Sequence, residues 1–66
     1  MTELEKNVIL IYADNNMDIS KTARAAKYHR NSIVYWLEKI KEKYGLNPRN
    51  FYDLIRLVEM AKGGAE

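Results

Sequence analysis

The 66-residue chain has no cysteine, a single histidine, one proline and three glycines. Without cysteine there are no disulfides and no thiolate metal clusters. His29 alone supplies too few ligands for a metal site. No apolar run approaches the roughly 18 residues that a membrane span needs. The apolar block Val8 to Ala13 is too short for a signal-peptide core and lacks a basic leader. The expected location is therefore the cytoplasm. The initiating Met fits a complete small protein as well as a cloned fragment. No nucleophile–base pair and no glycine-rich phosphate loop stand out, so neither an enzyme nor a cofactor nor a small-molecule ligand is expected. Strand signals are missing, and a chain this short buries only about 60% of its unfolded surface.

Charge is also scarce in sum, with a formal net charge of +2. That balance permits nucleic-acid binding without demanding it. Its distribution says more. Seven of the eleven Lys and Arg residues fall between Lys21 and Lys43, against two acids there, Glu38 and Glu42. The first eighteen residues carry four acids and one Lys. Positive charge is thus concentrated on the middle of the chain.

That middle reads as helix, tight turn, helix. Asp18 is a good N-cap, and Ile19, Thr22, Ala23 and Ala26 follow on one face at helical spacing. Ala23 is small enough to let a second helix cross closely. Lys27-Tyr28 forms the turn, with Tyr28 expected to plug the core and His29 at the next N-cap position. The second helix is expected from about Arg30 to Tyr44. Ile33, Leu37, Ile40 and Tyr44 form its buried stripe, while Asn31, Val34, Tyr35 and Glu38 face the other way. Trp36, about 60° from the stripe, is assigned to packing.

The polar cluster His29-Arg30-Asn31-Ser32 opens this helix, and a recognition helix contacts bases mainly through its N-terminal residues. Arg30 suits guanine, Asn31 suits adenine, and Val34 suits a thymine methyl. Tyr35 completes the reading face. Ser20, Lys21, Lys27 and Lys39, with amides of the first helical turn, suit phosphates. His29 is read as a cap or surface residue rather than as a catalytic base.

The flanks follow the same logic. Thr2 caps a helix over about 3–14, with Glu5 at the capping-box position, and Asn15-Asn16 ends it. Gly45 ends the recognition helix, with Leu46 folding back. Asn47-Pro48-Arg49-Asn50 is a turn, and Asn50 caps a last helix over about 51–62. Phe51, Leu54, Ile55 and Val58 are expected to face inward on that helix, and Gly63 to Glu66 to fray. The fold class is all-α: one four-helix domain over residues 1–66 containing a helix-turn-helix.

The run Asn15-Asn16-x-Asp18-Ile19-Ser20-x-Thr22-Ala23-Arg24-Ala25, with His29 to Ile33 and Gly45-Leu46 after it, resembles the C-terminal helix-turn-helix domain of PucR-type and sugar-diacid transcriptional regulators. It is more distantly similar to the Fis-type DNA-binding domain. The resemblance covers about Val8 to Met60. It implies a three-helix homeodomain-like core plus a C-terminal helix, with the helix from Arg30 in the major groove of duplex DNA. The family usually has several arginines along the middle of that helix. This chain has Val34, Trp36 and Glu38 there, which implies fewer base and phosphate donors.

Two expectations remain. Ile9, Leu10, Tyr52, Leu57 and Met60 look like more apolar surface than a three-helix core can cover. A homodimer through the first and last helices would use it and would read inverted half-sites. The alternative is a helical protein-interaction module that docks on another protein without touching DNA.

Overall fold

Every helix in the chain begins on a side chain that caps it. The computed structural model describes residues 1–63. It holds α1 (Glu3–Asp14), α2 (Ile19–Ala26), α3 (Arg30–Tyr44) and α4 (Phe51–Ala61), and no strand among the described residues. Thr2 and Glu5 close a full capping box: the Glu5 N–H donates to Thr2 Oγ1 at 3.1 Å and the Thr2 N–H to Glu5 Oε1 at 2.8 Å. Asp18 Oδ1 accepts from the Lys21 N–H at 2.8 Å. Asn50 Oδ1 accepts from the Asp53 N–H at 3.1 Å. Each such cap stabilises its helix by roughly 1 kcal/mol.

The helix ends are equally local. Asn16 takes the left-handed position after α1 at φ 56°. The Met17 N–H reaches back to the Tyr12 carbonyl at 2.9 Å, the long bond of a Schellman closure. Gly45 ends α3 at φ 69° and donates to the Lys41 carbonyl. A side chain at that angle would be strained, although no neighbouring atom crowds the site. The last helix stops at Ala61, one residue short of expectation, and Gly63 turns at φ 77°. The rest of the expected frayed tail, residues 64–66, lies outside the described residues.

Packing corrects the sequence reading most sharply in α1 and α4. Ile9 and Leu57, taken for surplus surface, are fully buried. They join Val8, Tyr12, Ile33, Leu37, Ile40 and Leu54 in one core. Leu10 and Met60 are half-buried against it. On α4, Leu54, Leu57 and Ala61 face inward, whereas Phe51 and Ile55 face out. The helix is therefore rotated from the expected Phe51-Leu54-Ile55-Val58 orientation. The physical reason is that α1 lies along α4 and takes up the Leu57 face. α4 packs on α1 alone, while α1 also touches α2 and α3.

Between α3 and α4 the chain folds over buried Pro48. Asp53 Oδ2 accepts from the Asn47 N–H at 3.0 Å, and Asn47 Oδ1 accepts from the Arg49 N–H at 3.0 Å. Burial pushes the Tyr12 hydroxyl above its ordinary range, against the opposing charge of Arg49.

Candidate nucleic-acid interface

The candidate interface comprises the α2 N-terminus, the α2–α3 turn and the first half of α3. α2 is anchored at its start by Thr22, whose Oγ1 donates to the Asp18 carbonyl at 2.7 Å. Thr22 is fully buried, and its hydroxyl is thereby satisfied. Ala23, only 5% exposed, supplies the small contact beside it. Ser20 and Lys21 stay on the exposed side.

The turn is strained. Lys27 sits in the left-handed region at φ 63°, ψ 40°. The Tyr28 N–H donates to the Ala23 carbonyl at 2.9 Å and the Lys27 N–H to the Arg24 carbonyl at 3.2 Å. This is again a Schellman closure, with Lys where glycine is the usual residue. A side chain at that angle costs roughly 1 kcal/mol.

His29 then leaves in extended conformation, and its Nδ1 accepts from the Asn31 N–H at 3.1 Å. The Ser32 N–H donates to the His29 carbonyl at 2.9 Å. The Asn31 and Ser32 amides are thus engaged within the protein.

Along α3, Ile33, Leu37 and Ile40 point into the core. Arg30, Asn31, Tyr35 and Lys39 lie on the exposed face, as do Lys27 and His29 before them. Ser32 and Val34 are half-buried, so Val34 presents only part of its side chain. Lys39 Nζ lies 5.5 Å from the Tyr35 ring centroid and 3.7 Å from Glu42 Oε1. The first contact is a cation–π geometry that holds the Tyr35 ring near a positive charge.

Tyr28 departs from expectation. It is 47% exposed rather than plugged into the core. Its ring meets Trp36 edge to face, with centroids 4.7 Å apart at 82°. Trp36, on the next helix, holds the ring that was expected to enter the core. Tyr28 therefore joins the exposed surface beside His29, a position that the apolar reading of the turn hid. The pairing is worth about 0.5–1.5 kcal/mol beyond burial and braces the turn against α3.

The far end of α3 is stapled to α1. Glu5 accepts from the Tyr44 hydroxyl at 2.7 Å and from Lys43 Nζ at 3.1 Å. Partial burial raises the Glu5 carboxyl, but the Thr2 N–H, the Tyr44 hydroxyl and Lys43 outweigh it and hold it at about 2. Lys39 and Lys43, one helical turn apart, thus pair with two different acids, Glu42 within α3 and Glu5 across to α1.

A short helix, a strained three-residue turn and a second helix with a buried stripe and an exposed, basic opening turn define a helix-turn-helix domain. The chain belongs to the family of PucR C-terminal helix-turn-helix domains, which matches residues 7–60. It is thus a DNA-binding domain of the transcription-regulator class. No curated protein and no solved structure shows a significant match to it. Among the described residues no group of His, Cys, Asp and Glu side chains forms a metal site, and no helix is long and apolar enough to cross a membrane.

Proposed function

We propose that this protein is a small, cytoplasmic, sequence-specific reader of duplex DNA, with the N-terminal half of α3 in the major groove. One observation carries the reading. His29, Arg30 and Asn31 are all exposed at the start of a helix whose opposite face is buried. Ser20, Lys21, Lys27 and Lys39 contact phosphates and set the register. Arg30 donates to a guanine edge and Asn31 pairs with adenine. His29, Ser32, Val34 and Tyr35 complete the surface, Tyr35 with its ring edge and Val34 with the part of its methyls left exposed. Two copies on inverted half-sites place their α3 helices roughly 34–36 Å apart.

Selection of bound duplexes from a random pool, at low and at moderate salt, tests this reading. Enrichment of a short motif that persists as salt rises supports it. Salt-sensitive binding with no enriched motif, or no binding, overturns it. Phosphate contacts alone give affinity that falls steeply with salt and carries no base preference.

A further inference from the structure

From Lys27 to Glu38 the only lysine and arginine are Lys27 and Arg30. The next cation, Lys39, is drawn toward Glu42 and the Tyr35 ring. Any further hold on a nucleic-acid backbone along this stretch has to come from neutral groups. Tyr28 is the neutral polar residue there that the duplex-reading proposal leaves without a role. It stands between Lys27 and His29, both exposed, and is itself nearly half exposed.

The residue is fixed at both ends. Its N–H is tied to the Ala23 carbonyl in the closure that ends α2. Its ring is held by Trp36, half-buried in the second turn of α3, which meets it edge to face. That contact needs the ring and not the oxygen, so phenylalanine would serve it equally. Among the described residues the Tyr28 hydroxyl makes no hydrogen bond, whereas the Tyr44 hydroxyl donates to Glu5. Packing thus accounts for the ring and leaves the oxygen unused.

We infer that Tyr28 is a DNA-backbone contact whose hydroxyl donates to a phosphate oxygen at the edge of the groove that α3 enters, and that Trp36 is the positioning residue that holds its ring there. The inference rests on the duplex-reading proposal and adds a neutral anchor to it. Tyrosine is among the side chains that serve phosphates, and such contacts set register without reading bases. Its ring turns about only two side-chain bonds, so little freedom is lost on contact. It releases no counterion, because it carries no charge. Lys27 and Tyr28 then form two unlike anchors side by side, one charged and adjustable, the other neutral and held in place by Trp36.

Tyr28→Phe removes the oxygen and keeps the edge-to-face pair. It should bind a selected duplex and a scrambled one about three- to tenfold more weakly than wild type. The ratio between the two duplexes should not change. Neither should the salt slope, since no cation is removed, nor the thermal midpoint. Trp36→Leu keeps an apolar side chain and frees the ring. It should weaken binding in the wild-type background and add little in the Tyr28→Phe background, because both residues then act through one oxygen. Equal affinity of wild type and Tyr28→Phe overturns the inference and leaves the duplex reading intact. A Tyr28→Phe loss confined to the selected duplex overturns the backbone contact. A Trp36→Leu loss of the same size in both backgrounds, as when Trp36 only supports α3, overturns its positioning role. Failure of wild type to bind any duplex sinks the duplex reading and this inference with it.

Discussion

The two halves of the molecule solve opposite problems. The α1–α4 pair is apolar over most of its circumference, and Ile9 and Leu57 sit at its centre with no exposure at all. The α2–α3 pair meets through small side chains, Thr22 and Ala23, around a strained Lys27 turn and under an exposed basic surface. One half supplies burial. The other spends some of that stability to present side chains at fixed angles. In so short a chain the second half depends on the first, which it meets through α1 and through the Glu5 staple to Lys43 and Tyr44.

The comparison can be broken most forcefully at its apolar centre. Leu57→Ala should cost about 2–5 kcal/mol, since it leaves a cavity in a closed core. A chain of this size has a total of roughly 3–10 kcal/mol, so the variant should be partly unfolded at ambient temperature. Urea denaturation checks this, and a loss below about 1 kcal/mol would mean that α4 is not the support described.

The staple comes next. The folded Glu5 carboxyl titrates near 2, below its ordinary 4.5. Unfolding returns it to the ordinary value, where it binds a proton more readily. Its stabilisation is therefore present above pH 4.5 and is lost as pH falls toward 2. With solvent screening, the contribution is on the order of 1 kcal/mol. Glu5→Gln should be less stable than wild type at neutral pH, and its stability should fall less across that acid window. Parallel pH curves for the two proteins would contradict the staple.

Lys27→Gly has the smallest expected effect and sharpens the contrast best. Relief of the left-handed strain should raise stability by up to about 1 kcal/mol. Loss of the ammonium should weaken binding to all duplexes alike and flatten the salt slope by about one. A variant that is more stable and binds as well as wild type would show that Lys27 is not a phosphate contact.

The caps made the helices legible. Thr2, Asp18, His29 and Asn50 act on their own first turns, so their effect is readable from neighbours in sequence. The rotation of α4 was not legible in the same way. Phe51, Leu54, Ile55 and Val58 make one apolar face and Leu54, Leu57 and Ala61 another, and both share Leu54. Periodicity cannot choose between overlapping faces; the choice was made by α1, distant in sequence. Tyr28 failed for a similar reason, since its partner Trp36 lies on the next helix and no local pattern announces the pair. In the candidate interface, the cluster from His29 to Asn31 was visible because polar residues opening an amphipathic helix are a local signal. The internal use of the Asn31 and Ser32 amides was not, because it depends on the path of the backbone through the turn.

The central claim is that side chains on the opening turn of α3 read base identity. The most direct measurement is the affinity ratio between a selected duplex and a scrambled one of equal length, for wild type and for Arg30→Ala. Loss of about 1–3 kcal/mol on the selected duplex, with discrimination relaxed at one base position, is the predicted result. An unchanged ratio in a folded Arg30→Ala protein would contradict it.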